Sequence, residues 1–330
     1  MREAIIIDTD PGQDDAVAIL LALACGAQLD LRGIATVAGN VALAQTTINA
    51  LRICDLAQRH DIQVYAGATR PLVYQLETAE YVCGPDGLAG ANLSAPRRTP
   101  EAEHAVDFII RTLRAVPDGG LTLCPVGPLT NIALAIEKDP SIVPLVKEVV
   151  IMGGSITGGN VNAAAEANIA NDPEAAQIVF QAGWPLTMVG LDVGDKTLLT
   201  RKHIEALKKN PGPVSDFIYK VADFLIGLSE KFGETGTPMY DPLAVGVAID
   251  SALVKAPAMH VDVETRGEFT RGETVANRRG ANERNVLHHF PDGDRYVIEG
   301  IDKVEPNAKV CTEVNAEKFL QMFVSRIQGK

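Results

Sequence analysis

The chain has 330 residues, 46% of them hydrophobic and 22% charged, with a formal net charge of −12. This mix excludes disorder, collagen and coiled coil as descriptions of the whole chain. The acidic balance argues against a nucleic-acid binder, which needs a basic face to displace counterions, and against docking on an anionic membrane.

No window reaches the roughly 18 to 20 apolar residues of a membrane span. The hydrophobic opening, Met1–Leu23, carries Asp8, Asp10, Asp14 and Asp15, unlike the uncharged centre of a secretory signal. Five cysteines, at 25, 54, 83, 124 and 311, are scattered with no CxxC, so neither a zinc site nor a disulfide framework fits and a cytoplasmic location is expected.

In chain order, Ala4–Ile7 reads as a buried strand and a helix follows from about Asp14 to Cys25. Leu31–Val37 reads as a strand, Ala42–Arg59 as a helix and Ile62–Tyr65 as a short strand. Glu101–Ala115 (helix), Leu121–Val126 (strand), Val149–Met152 (strand), Pro173–Ala182 (helix) and Leu186–Val189 (strand) continue the pattern. Short apolar strands each followed by a helix indicate parallel βαβ units with both sheet faces covered. Residues 201–246 read as mostly helical, and Val261–Val297 as antiparallel or irregular with turns at Arg279-Gly280 and Asp292-Gly293. A helix over Val314–Ile327 closes the chain, and His60 and His104 are expected on helices. The expected architecture is α/β, a mainly parallel central sheet flanked by helices, as a single domain over residues 1–330.

In an open parallel sheet, ligands bind beyond the carboxyl ends of the strands. Five of those ends are rich in Gly, Asp and Asn: Asp8–Asp15, Ala38-Gly39-Asn40, Gly127–Asn131, Gly153-Gly154-Ser155 and Gly190-Leu191-Asp192. The first is the most telling. Two carboxylates about 4 Å apart repel by roughly 4 kcal/mol at an effective dielectric near 20, and a helix N-terminus relieves only about 1 kcal/mol. The remainder calls for protonation or a cation, and an all-oxygen donor set favours Ca²⁺ or Mg²⁺ over zinc. A solvated, Asp-rich helix cap is the competing explanation. The amide-rich stretch holding Asn160, Glu166 and Asn168, ending in Asp172-Pro173, suits a polyhydroxylated ligand. Asp241-Pro242 reads either as the N-cap of a helix Leu243–Ile249 or as a further metal carboxylate.

At these residues the sequence resembles the nucleoside hydrolase family of the inosine–uridine-preferring type. DTDPGxDDA stands intact at Asp8–Ala16, and Gly39-Asn40-Val41, Asp86-Gly87-Leu88, Gly127–Asn131, Met152-Gly153-Gly154, Gly159-Asn160-Val161, Ala165-Glu166, Asn168-Ile169, Asn171–Ala175 and Asp241-Pro242 follow in the family's order. The resemblance implies a Rossmann-like fold and Ca²⁺-dependent hydrolysis of the N-glycosidic bond of ribonucleosides, the attacking water being activated by the ion. It implies Asp10, Asp15, the carbonyl of Val126 and Asp241 as calcium ligands, and Asp10 also as the general base. Asp14, Asn40, Asn160, Glu166 and Asn168 would hold the ribose, and Met152 would line the sugar pocket. It also implies a homodimer or homotetramer.

Three positions depart from the family's pattern, and all lie around the base. Tyr240 and Cys83 stand where histidines are usual, and Ala167 replaces a usual aromatic residue. Tyr240 and Cys83 are the candidates to contact the base, and its proton could come from either, from water, or from no dedicated acid. A nucleoside- or sugar-binding protein with lost catalysis is the rival reading. A phosphohydrolase reading is weakened by the lack of a phosphate cradle or a basic residue near the first loop.

Overall fold

The computed structural model describes residues 2–116, 120–278, 288–289, 295–296 and 305–329. The turns expected at Arg279-Gly280 and Asp292-Gly293 lie outside these residues.

Six parallel strands form the centre: β1 (Glu3–Thr9), β2 (Leu29–Thr36), β3 (Val64–Ala66), β4 (Leu121–Pro125), β5 (Val146–Met152) and β6 (Leu186–Val189). Their spatial order is β3-β2-β1-β4-β5-β6, extended beyond β6 by the parallel strand Ala308–Val310 and then by the antiparallel Ala258–Met259. The apolar runs bury both faces, alternating along the strand. Ile5 and Ile7 join the core under helices α1 (Gln13–Ala24) and α2 (Leu43–Leu56), whereas Ala4 and Ile6 join the core under helices Ala105–Ala115, Thr130–Lys138 and Pro173–Gln181. The sheet order reverses between β1 and β4, which pair directly, Asp8 beside Pro125. Their carboxyl ends therefore flank the crevice where such sheets bind ligands.

Several expected boundaries move for identifiable reasons. The helix read from Glu101 starts at Ala105, because the His104 ring accepts from Val106 N at 3.3 Å and caps it. Glu101 instead bridges to Tyr65. His60 lies in the turn beyond α2, so neither histidine is within a helix. The middle section carries helices Arg201–Leu207 and Pro213–Glu230, but Leu198–Thr200 and Gly236–Pro238 pair as an unforeseen antiparallel ribbon. The ribbon leads into the helix Tyr240–Ile249, with Met239 in the cap position. Asp241 is therefore in the first helical turn and not its N-cap, which removes capping as the reason for that carboxylate. Val261–Val263 and Thr274–Ala276 are antiparallel as expected. No helix among the described residues is long and apolar enough to cross a membrane.

One buried amide ties the strand ends together. Asn131 Nδ2 donates to Asp8 Oδ1 at 2.7 Å and to Thr36 O at 3.0 Å, and its Oδ1 accepts from Ala68 N at 2.8 Å. Thr36 O keeps its bond from Gly67 N at 2.9 Å, but Asn131→Leu leaves Asp8 Oδ1 and Ala68 N unpaired in a buried place, so we expect a loss of about 3 kcal/mol or more in urea unfolding; a loss below about 1 kcal/mol, the scale of one ordinary hydrogen bond, would contradict this bracing role.

Candidate active site

The crevice is built around Asp10, the first residue beyond β1, which is only 2% exposed. Its Oδ2 accepts from Asn40 N at 2.6 Å. Its Oδ1 is buried and has no hydrogen-bond partner among the described residues. Gly39 and Gly127 press against the carboxylate so closely that a Cβ on either would overlap it, which explains glycine in both loops.

Asp15 is fully buried at the start of α1 and held by four donors. Thr9 Oγ1 (2.6 Å) and Asp10 N (3.1 Å) reach Oδ1, and Gly12 N (3.0 Å) and Asn40 Nδ2 (3.0 Å) reach Oδ2. Asp14, on the same helical turn, is half-buried. Asp241 arrives from the far end of the chain on the helix Tyr240–Ile249, which packs against α1 and β5. One carboxylate oxygen each from Asp14, Asp15 and Asp241 lie within 4.8 Å of one another.

Burial and mutual repulsion push these groups the same way. Desolvation, and then the charge of Asp15, raise Asp14 to about 7. Asp10 and Asp241 are pushed well above the usual carboxylate range by burial and then by neighbouring aspartates. Asp8, behind them, is raised to about 7 by burial, against the opposing hydrogen bond from Asn131. The charges that bear on Asp10, Asp14 and Asp241 are other carboxylates, and among the described residues no lysine or arginine compensates them. Hard oxygens, close-set, water-excluded and with one buried oxygen unpartnered, fit a divalent cation of the calcium or magnesium type.

The opposite wall comes from the short helix Ala167–Asn171. Glu166 caps it, accepting from Asn168 N (2.9 Å) and Ile169 N (3.2 Å), and also accepts from Gly154 N (3.0 Å). Asn168 Nδ2 donates to Val126 O (3.1 Å) and Met152 O (3.2 Å) and touches Met152 Sδ (3.3 Å). Asn160 is exposed at the rim, its Oδ1 accepting from Ala167 N at 3.0 Å.

Of the residues expected in the site, Asp14, Asn40, Cys83, Val126, Met152, Asn160, Glu166, Asn168, Tyr240 and Asp241 line one cleft of about 280 Å³. Asp10 lines an adjoining lobe of about 410 Å³, which shares Asn40 and Asn168 with the first. Asp15 lies behind both. The Tyr240 hydroxyl donates to Asp195 Oδ1 at 2.7 Å, and its ring packs over Gly194. The Cys83 thiol, pushed up to about 12 by burial, donates to Ala79 O at 3.1 Å. Asp195, Leu225, Tyr74 and Arg271 were not expected here. Asp195 caps the short helix Leu191–Gly194, just beyond the noted Gly190-Leu191-Asp192, and Arg271 lies between the two strands of the expected antiparallel stretch, with nothing in its local spacing to mark it.

The model of the family described as inosine-uridine preferring nucleoside hydrolase matches residues 5–321. The chain is 38% identical to the pyrimidine-specific ribonucleoside hydrolase RihA of Salmonella arizonae, over 99% of each chain. It is 39% identical over 280 residues to the pyrimidine-specific ribonucleoside hydrolase RihB of Escherichia coli, covering 84% of this chain and 88% of that one. Among solved structures, the purine-preferring ribonucleoside hydrolase from Gardnerella vaginalis superposes with a TM-score of 0.87 at 34% identity, covering 99% and 98% of the two chains.

Carboxyl groups held above their ordinary range bind more protons folded than unfolded between the two values. Without a cation the protein should therefore lose stability as pH rises from about 4, the unfolded value, through the folded value of about 7. A divalent cation competes with those protons, so the rise in melting temperature on adding calcium to chelated protein should be larger at the alkaline end. A calcium-induced rise that is independent of pH across this window would contradict the electrostatic picture.

Proposed function

The chain belongs to the inosine–uridine preferring nucleoside hydrolase family and is a ribonucleoside hydrolase, and we propose that it works with calcium as its resident ion and Asp10 as general base. The observation that carries this reading is the buried Oδ1 of Asp10, without a partner among the described residues, beside carboxylates that no described basic residue neutralises.

Asp10, Asp15 and Asp241, with the carbonyl of Val126, are the residues we assign to hold the ion, and Asp14 brings a further carboxylate within their reach. When bound, calcium would acidify a water and draw the ribose hydroxyls toward the carboxylates. Asp10 is anchored by Asn40 through one oxygen, and its other oxygen is left to take the proton of the attacking water. Asp14, Asn40 and Asn168 offer acceptors and donors to the ribose hydroxyls, and Glu166 and Asn160 close the pocket around the rest of the sugar. As the bond to the base breaks, the sugar gains oxocarbenium character, and the surrounding carboxylates stabilise that positive charge.

The base takes the side of the cleft lined by Tyr240, Cys83, Leu225 and Pro238. Tyr240 acts there as an aromatic wall, because its proton is already donated to Asp195 and its hydroxyl is driven to a higher pKa by burial and that carboxylate. The Cys83 thiol is likewise turned to a backbone carbonyl. The departing base therefore draws its proton from solvent in the cleft. The relatives are named for both pyrimidine and purine preference, so a test offers both classes. We also take the protein to be cytoplasmic, on its scattered cysteines, and a homodimer or homotetramer, on the family resemblance alone.

Calcium-loaded protein should release free base and ribose from at least one of inosine, uridine, cytidine and adenosine. It should act on the matching 2′-deoxynucleoside at least about a hundredfold more slowly, because the polar groups built for the 2′-hydroxyl are left unpaired. Asp10→Asn should lower kcat at least about a hundredfold, and retention of most activity would remove its role as base. Tyr240→Phe should leave kcat within about threefold, whereas loss of a true general acid costs about a hundredfold or more; a fall of that size would return the acid role to Tyr240.

A further inference from the structure

The second lobe of the crevice, about 410 Å³, is as large as many complete small-ligand sites, and beyond Asp10, Asn40 and Asn168 at its near end the reading above makes no use of it. It opens from the ribose pocket between Asn40, Asn168 and Ala167, which line both lobes. Ala167 is small, so the passage stays open. The far end is walled by Tyr74, Glu77, Asn171 and Arg271.

That far wall is built. Asp172 caps the helix Pro173–Gln181 through Ala175 N (3.1 Å) and holds Leu72 N at 2.9 Å. Asn171 Nδ2 donates to Glu77 O at 3.1 Å. Arg271 pairs with both oxygens of Glu174 (3.1 and 2.8 Å), and its guanidinium lies 3.7 Å over the Tyr74 ring. Asn171 and Arg271 line the lobe as side chains that carry both an acceptor and donors; Asn171 Oδ1 and Arg271 Nε, which have no partner among the described residues, are covered in this structure and become available only if the wall shifts. An amide acceptor and a guanidinium donor on one wall match the two-way hydrogen bonding of alcohols. Phosphate does not match. Among the described residues the one cation at that wall is already paired with Glu174, and Asp10 and Glu77 are further acidic side chains of the lobe.

We propose that this lobe receives an uncharged, hydroxyl-bearing substituent on the 5′-oxygen of the ribose, so that 5′-O-extended ribonucleosides are substrates alongside simple ones. The inference rests on the reading above. With the base against Tyr240 and Leu225 and the 2′- and 3′-hydroxyls at the carboxylates, the 5′ end lies at Glu166 and Asn160, beside Ala167 at the passage, and a substituent on its oxygen has that passage to enter.

The test uses the calcium-loaded full chain and whichever of uridine and inosine it cleaves better. Three forms of that nucleoside are compared: the parent, its 5′-O-(2-hydroxyethyl) ether, and its 5′-monophosphate. The ether should be cleaved with kcat/KM within about threefold of the parent and the monophosphate at least about tenfold worse, the scale of a mismatched pocket contact. Arg271→Met and Asn171→Leu, both at partly exposed positions, should each lower kcat/KM for the ether by about tenfold or more and leave the parent within about threefold. Cleavage of the parent with the ether refused, or an equal loss on both substrates in the variants, would overturn the subsite and leave the ribonucleoside reading standing. In the second case Arg271 and Asn171 only hold the loop. A preference for the monophosphate would overturn the choice of an uncharged group. Cleavage of neither nucleoside nor ether would overturn both readings.

Discussion

Carboxylates that are buried together and left without a basic partner repel one another, and this repulsion organises the crevice. Asp10, Asp15 and Asp241 are each at most 3% exposed, and Asp14 stands beside them. Removing such charges from water costs several kcal/mol apiece. The fold tolerates them by giving each a partial remedy. Asp15 takes four donors, Asp10 takes one backbone amide and two flanking glycines, and Asp8 takes the Asn131 amide. What remains is negative charge facing a cleft, and that residue of charge fits both a divalent ion and a sugar that turns cationic as its bond breaks.

The architecture brings these groups together from distant parts of the chain. β1 and β4 are neighbours at the point where the sheet order reverses, so Asp10 and Val126 leave adjacent strand ends. Asp241 reaches them because the helix Tyr240–Ile249 lies against α1, buried along nearly its whole length. Its position inside the first turn, two residues after the cap, leaves its side chain free of capping duty. Function here depends on a packing contact between the first helix and one more than two hundred residues later.

Much of this was legible in the sequence. Continuous apolar runs such as Ile5–Ile7 and Leu186–Val189 bury both faces of a sheet and so announce parallel strands, and Asp172-Pro173 marks its helix start as read. The carboxylate loop was legible because four aspartates in eight residues repel one another more than a solvated helix cap relieves. Residues whose roles depend on tertiary approach were not legible. Asp195 matters because Tyr240 swings its hydroxyl onto it, and Arg271 because an antiparallel ribbon returns it to Glu174 and Tyr74. Neither contact leaves a trace in local spacing. The cap assigned to Asp241 failed for a related reason, since the helix begins two residues earlier than its Pro signal suggests.

The most direct measurement is calorimetric titration of chelated protein with calcium, in the wild type and in Asp241→Asn. The account predicts one tight ion per chain in the wild type and a large loss of affinity in the variant, with both proteins folded by circular dichroism. A wild type that takes up no calcium and yet splits ribonucleosides at full rate in chelator would contradict it.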